Sequence, residues 1–111
     1  MPRGFGGGGG GMGDLVKHAQ RMQQRMAEVQ ADLKERIVEG TAGGGMVKVL
    51  VNGQQEVVSV KISKEVVNPE DVEMLEDLVT AACAQGLKKS REMKDQEMQK
   101  VAGGFKLPGL F

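Results

Sequence analysis

Apolar residues recur along the first third of the chain at the spacing of a helix. Starting at Leu15, the intervals are 4, 3, 4, 3 and 4 residues, the a/d rhythm of a coiled coil rather than the broader face of a globular helix. Asp14 is a suitable N-cap, so the pattern predicts a helix from there to about Lys34 or Ile37. The narrow seam predicts contact with another helix, within the subunit or across a dimer. The seam comprises Leu15, Ala19, Met22, Met26, Val29 and Leu33.

The next stretch changes to the alternation of apolar and polar residues that is typical of strands. The segments "MVKVLV" and "EVVSVKI" flank Asn52-Gly53, the signal for a two-residue type I′ turn, and so predict a β-hairpin. Ile37 to Thr41 predicts a shorter first strand that turns at Gly43-Gly44-Gly45. We therefore expect a three-stranded antiparallel sheet with one face to be covered.

A second helix is predicted from "NPEDVEMLEDLV". Asn68 can cap it, and Pro69 suits the first helical position. The face expected to cover the sheet comprises Val72, Leu75, Val79 and Ala82, with Leu78 beside them. Beyond Gly86 the charge changes from acidic to basic and apolar positions become sparse, which predicts a solvent-facing second half that closes at Met98–Val101.

These elements predict an α+β fold with a long helix at each end of a small antiparallel sheet. The run of six glycines within residues 1–13 predicts a disordered N-terminal segment, because glycine loses much backbone entropy on folding and offers no side chain to pack. Residues 14–102 are then expected to form a single domain. Residues 103–111 are expected to form a C-terminal tail.

Composition limits the functional classes. Fifteen Lys and Arg balance fifteen Asp and Glu, so only a locally segregated basic patch could bind nucleic acid. The three aromatic residues are all Phe and lie in the predicted N-terminal segment and C-terminal tail, which argues against domains that stack unpaired bases. The N-terminal residues lack the apolar run of a signal peptide, and no window has the apolar length of a membrane span, which favours a cytoplasmic protein that does not bind membranes.

Residues typical of catalysis are few. The chain has one histidine, His18, expected on the outer part of the first helix, and one cysteine, Cys83, expected on the inner part of the second. No Cys/His cluster has the spacing of metal ligands. We therefore expect no enzyme activity, no cofactor and no small-molecule substrate.

Two basic clusters remain as candidate binding residues. One is the four-residue repeat of Lys17, Arg21 and Arg25 on the first helix, and the other comprises Lys88, Lys89, Arg91 and Lys94 on the second. Each cluster taken alone is more typical of a solvated helix face. Cations near a helix C-terminus are also favoured by the helix dipole.

Four stretches give the chain a specific resemblance. In order, they are "LVKHAQRMQQRM", "GGGMVKVLVNGQQEVVSVKIS", "NPEDVEMLEDLVTAA" and "GGFKLPGLF", and they cover nearly everything after the glycine run. Together they resemble the YbaB/EbfC family of nucleoid-associated proteins. This resemblance implies a tweezer-like homodimer that binds double-stranded DNA in the nucleoid and influences gene expression. It assigns DNA binding to projecting helical regions, which here contain both basic clusters.

A protein-interaction module is the alternative function. In that case the Met-rich seam of the first helix binds another protein, and the charges only keep the surface soluble. The neutral net charge and the narrow seam favour this alternative over DNA binding.

Overall fold

The computed structural model describes residues 9–104, which form two long helices and one small sheet. The elements are α1 (Gly9–Glu35), β1 (Ile37–Ala42), β2 (Val47–Asn52), β3 (Val57–Ile62), a 3₁₀ turn (Lys64–Val66) and α2 (Val72–Gly104). The strands are antiparallel in the order β1-β2-β3. The predicted α+β fold is confirmed.

The core lies between the central strand and α2. Val47, Val49 and Val51 of β2 point to one face of the sheet and are fully buried, as is Ala82 of α2. Leu75, Leu78, Val79, Cys83 and Leu87 of α2 pack around them. Val72 is wrongly predicted to join this face: it is exposed, because it is the first residue of α2 and precedes the part of the helix that lies on the sheet.

Two glycines let α2 approach β1 closely. An ideal Cβ built on Gly40 would lie 2.1 Å from the Ala82 carbonyl oxygen and 2.4 Å from the Gly86 nitrogen, which is too close for any side chain. The helix also covers the outer edge of β1, where the Gln85 Oε1 accepts the Thr41 N–H at 2.7 Å and the Lys89 Nζ donates to the Glu39 carbonyl at 2.9 Å. This edge of the sheet is therefore closed within the subunit.

The second helix begins later than predicted. Asn68 does not cap it, because its Oδ1 accepts the Glu70 N–H at 2.9 Å in a local turn that also contains Pro69. Asp71 is the cap instead, since its Oδ1 accepts the Met74 N–H at 3.2 Å.

Glycine does not set the helix ends as the sequence predicts. The first helix already begins at Gly9, so Asp14 lies inside it and is not its cap, and α2 runs through Gly103 to Gly104. Glycine in a helix costs about 1 kcal/mol relative to alanine but leaves helical backbone angles accessible. The remaining residues of the predicted N-terminal segment and C-terminal tail, 1–8 and 105–111, lie outside the described residues.

The β2–β3 hairpin is confirmed, but its turn is not of type I′. That turn needs a positive φ at both central residues, whereas Asn52 is the last residue of β2 and neither it nor Gly53 has a positive φ. Gln55 takes the left-handed conformation, with φ of 64°. The Asn52 Oδ1 organises the longer loop by accepting the N–H groups of Gln54 at 2.9 Å and Glu56 at 3.1 Å.

Gly53 has a tertiary role that explains the wrong turn type. Its N–H donates to the Leu33 carbonyl at 2.8 Å and to the Arg36 carbonyl at 3.1 Å, so the loop caps the C-terminal end of α1. The Gln54 Nε2 adds a hydrogen bond to the Gln30 carbonyl at 2.9 Å. From the other side the buried Ser90 hydroxyl of α2 donates to the Asn52 carbonyl at 2.6 Å. We call this meeting point of loop, α1 and α2 the loop junction.

Replacing Gly53 with alanine should destabilise the fold. A Cβ at this position would lie 2.6 Å from the Leu33 carbonyl oxygen and 2.8 Å from its side chain, so the backbone must shift at a cost of about 2 kcal/mol. Urea denaturation of Gly53→Ala measures this loss. The matched control is Gly13→Ala on α1, where nothing lies within 4 Å and a gain of about 0.5–1 kcal/mol is expected. Equal midpoints for Gly53→Ala and the parent would contradict the close approach.

Candidate nucleic-acid interface

The first half of α1 projects from the rest of the subunit. Every side chain from residue 11 to 21 is exposed, and the molecule measures 80 × 23 × 18 Å along its principal axes. Between Leu15 and Ala27 the helix carries Lys17, Arg21 and Arg25 and has no Asp or Glu. The three cations are four residues apart, about 6 Å of helix rise per step, and therefore form one stripe. We call residues 11–27 the arm.

The predicted apolar seam divides into two parts. Near the sheet, Leu33 is fully buried and Val29, Met26 and Met22 are half-buried within the subunit. Towards the tip, Ala19 is exposed and 53% of Leu15 is accessible to solvent. The seam thus packs inside the subunit at its C-terminal end. Contact between its first half and a second subunit stays a prediction.

An ion-pair group holds α1 against the end of α2. The Arg36 guanidinium pairs with Glu97 across the two helices and lies 3.9 Å from Asp32. Lys100 pairs with the other oxygen of Glu97 at 3.1 Å. Both cations hydrogen-bond to the Glu97 carboxylate and, with Lys100 the stronger influence, hold its pKa below the ordinary value of 4.5. The pairing between the helices has no local sequence signal, because Arg36 and Glu97 are 61 residues apart.

A cleft of about 190 Å³ is lined by residues of both helices. Both signs of charge line it, namely the cations Arg25 and Lys100 and the carboxylates of Glu28, Asp32 and Glu97. Arg25 also lies 3.5 Å from Glu28, in an exposed pair that contributes little to stability. The cleft selects neither anions nor cations, so the basic stripe of the arm is the better candidate for binding.

The structure does not bring the two basic clusters together. Arg25 of the arm lines the cleft together with Lys100, whereas no residue of the α2 cluster lines it. Of the α2 cluster, Lys88 and Arg91 are exposed, Lys94 is half-buried, and Lys89 is engaged with the Glu39 carbonyl. Acidic residues also interrupt this cluster, at Glu92 and Asp95. Neighbouring carboxylates and contacts therefore offset the positive charge of the arm less than that of the α2 cluster.

One further basic pair was not singled out by sequence analysis. Lys48 and Lys61 are directly opposite each other on neighbouring strands, on the face of the sheet that α2 does not cover. Like charges in this arrangement repel each other. Only the strand register reveals the pair, because the two lysines are remote in the sequence.

The candidate catalytic residues are far apart in the fold. His18 lies on the exposed arm, and Cys83 packs half-buried against the core. Within residues 9–104, no group of three or more His, Cys, Asp or Glu side chains is placed to hold a metal ion. None of the helices in this part of the chain has the length and apolar character needed to cross a membrane.

Comparison with known proteins decides the family. The model of the YbaB/EbfC DNA-binding family matches residues 8–105, which include both helices and the whole sheet. The chain belongs to the YbaB/EbfC family. The resemblance found in the four sequence stretches is thereby confirmed.

Several relatives match the chain over nearly its whole length. A nucleoid-associated protein of Syntrophobacter fumaroxidans is 54% identical over 110 residues, which cover 99% of this chain and 93% of the relative. One of Clostridium kluyveri is 50% identical over 105 residues, covering 95% and 92%. The crystal structure of an uncharacterised Helicobacter pylori protein has the same fold, with a TM-score of 0.71 at 26% identity, covering 83% of this chain and 94% of that one.

Stability should depend on pH through Glu97. Since the pKa of Glu97 is lower in the folded state, its ion pairs stabilise the fold above the unfolded pKa, and this contribution is lost as the pH falls through the folded value. Glu97→Gln should therefore be less stable than the parent at neutral pH, with the difference closing below pH 4.5. Urea denaturation at several pH values measures the difference. Asp95→Asn, an exposed change on the same helix, is the control, and a pH-independent difference for Glu97→Gln would contradict this role.

Proposed function

We propose that this YbaB/EbfC member is a nucleoid-associated protein that binds double-stranded DNA as a homodimer through its basic arms. The observation that carries the proposal is the exposed stripe of Lys17, Arg21 and Arg25 on α1, with no carboxylate between Leu15 and Ala27. Family membership and the names of the relatives support DNA as the partner. By this proposal the protein acts in the cytoplasm without catalysis, in nucleoid organisation and gene expression.

Segregation of charge explains how a neutral protein can bind DNA. The beginning of α2 and the turn before it carry five carboxylates and no cation, whereas the arm carries three cations and one carboxylate, Asp14, near its tip. The carboxylates are Glu70, Asp71, Glu73, Glu76 and Asp77. They repel phosphate from the body of the molecule, so DNA approaches the arm.

Contacts with phosphate supply the affinity in this proposal. Lys17 and Arg25 are eight residues apart, about 12 Å along the helix, so one arm can neutralise several phosphates of a duplex. Two arms related by a dimer axis can bind the same duplex. Phosphate contacts position the protein on DNA without reading its sequence, and the arm offers no pattern of base-reading side chains.

The apolar tip of the arm supports a second candidate function. Met12, Leu15 and Val16 are all more than half exposed, next to the basic stripe. A protein partner that packs on these residues would make the chain an interaction module. Recovery of a stoichiometric protein partner in a pull-down, without retardation of duplex DNA at low salt, would favour this alternative.

Removing the arm cations should weaken DNA binding. The variant Lys17→Ala/Arg21→Ala/Arg25→Ala removes six charges from a dimer, so affinity should fall at least about tenfold at low salt. The slope of log affinity against log salt should become shallower by about 5 if all six contact phosphate. Mobility-shift titrations of a duplex at two salt concentrations measure both effects, with circular dichroism to check the fold.

Two further variants make that experiment specific. Lys34→Ala/Lys48→Ala/Lys61→Ala removes the same charge from exposed positions elsewhere and should bind nearly as well as the parent. Lys88→Ala/Arg91→Ala/Lys94→Ala tests the α2 cluster, while Lys89 is kept because it contacts β1. Parent-like binding by the folded arm variant would show that the arm is not the DNA site.

A further inference from the structure

The apolar seam of α1 keeps its spacing beyond the point where it loses its cover. Leu33 is fully buried, and Met26 and Met22 are half-buried. One step further, Ala19 is exposed, although the intervals of 4 and 3 residues that mark a packing seam continue. A regular seam that becomes exposed partway along a helix is a place where a further apolar segment can pack.

The two helices run antiparallel where they meet, so α2 ends beside the start of the exposed seam. Arg36, just after α1, pairs with Glu97 of α2. Val29 lies two turns before Arg36 and lines the cleft together with Val101, which is four residues after Glu97. The last residue of α2 is three past Val101. It is therefore expected beside Met26, three residues before Val29.

The residues that follow α2 are apolar. Residues 105–111, which we call the end segment, have the sequence "FKLPGLF", with a single charge. Pro108 disfavours helical backbone angles at Leu107, so the sequence predicts that α2 does not continue through it. Proline followed by glycine is typical of the two central positions of a type II turn. That turn would bring Leu107 and Leu110 together as one apolar group.

The end segment has the reach to cover the exposed part of the seam. Three extended residues, 105–107, span at most about 10 Å. The distance along α1 from Met26 to Ala19 is seven residues, about 10.5 Å of helix rise. Attachment to α2 also gives the segment a high effective concentration at this site, about millimolar for a short linker, which an untethered partner lacks.

We propose that the end segment folds back on α1 of its own chain and packs Leu107 and Leu110 on Ala19 and Met22. The contact extends the packing of α1 on α2 past the end of α2 and supports the base of the arm. The tip of the arm lies beyond its reach. The basic stripe stays accessible, because Arg21 is two residues from Ala19 and therefore about 200° around the helix.

Chemical cross-linking compares the two sides of the arm. In a Cys83→Ala background, Ala19→Cys/Leu110→Cys places one thiol on the seam and one on the end segment. Arg21→Cys/Leu110→Cys is the matched control, at almost the same height on the other side of α1. A short bis-maleimide should link the Ala19 pair within one chain at least about fivefold more efficiently, since an unpacked segment would reach both positions equally. Mass spectrometry of the digested protein gives the yields.

Each outcome of the cross-linking decides the contact. Preferential linkage of the Ala19 pair within one chain supports it. Equal yields from the two pairs, or no linkage of either, would overturn it. Linkage found only in a product of dimeric mass on denaturing gels would also overturn it, because the seam would then be covered from a second copy.

Amide exchange tests the support that the contact gives to the arm. In the full chain, Leu107→Ser/Leu110→Ser should make the amides of residues 19–25 exchange at least about threefold faster, because local opening of the helix becomes easier. Lys106→Ser, a neighbouring change that removes no apolar contact, is the control and should leave the rates unchanged. Parent-like exchange in the leucine variant, with helix content retained, would contradict the proposal. Both experiments are done without DNA, so their failure leaves the proposed function standing.

Discussion

The architecture depends on the close approach of the β2–β3 loop to the C-terminal end of α1. The Gly53 N–H binds the Leu33 carbonyl at 2.8 Å, in a space that admits no Cβ, and Ser90 binds the neighbouring Asn52 carbonyl from α2. In the first half of α1, none of residues 11–22 is buried. Its direction is therefore set at its other end, where the loop junction and the Arg36–Glu97 ion pair hold it.

The asymmetry of the sheet complements this arrangement. One edge is closed by α2, through the glycine contact of Gly40 with Gly86 and the side chains of Gln85 and Lys89. Along the other edge, no element within residues 9–104 pairs with β3, and the side chains of Val57, Val58, Val60 and Ile62 are exposed. The neutral net charge is compatible with DNA binding, because the basic residues of the arm lie apart from the acidic start of α2.

Hydrophobic periodicity predicted which elements form, but not the details that depend on contacts between them. The α+β order, the three strands and the basic stripe of the arm are readable from spacing, and the family is readable from four motifs. The prediction of a type I′ turn was wrong because Gly53 is the residue that lets the loop pack closely against Leu33. The cap at Asn68 was wrong because Asp71 reaches the Met74 N–H. The contact of Lys89 with β1 spans 50 residues and has no local signal.

Hydrogen–deuterium exchange with and without duplex DNA tests the central claim most directly, that α1 is a projecting arm whose basic face binds DNA. Amides of the arm, residues 11–27, should exchange fastest at the tip in the free protein, because that part of the helix has no tertiary support. They should slow when duplex is added, while residues 88–94 of α2 stay unchanged. Slowing confined to residues 88–94, with the arm unaffected, would contradict the account.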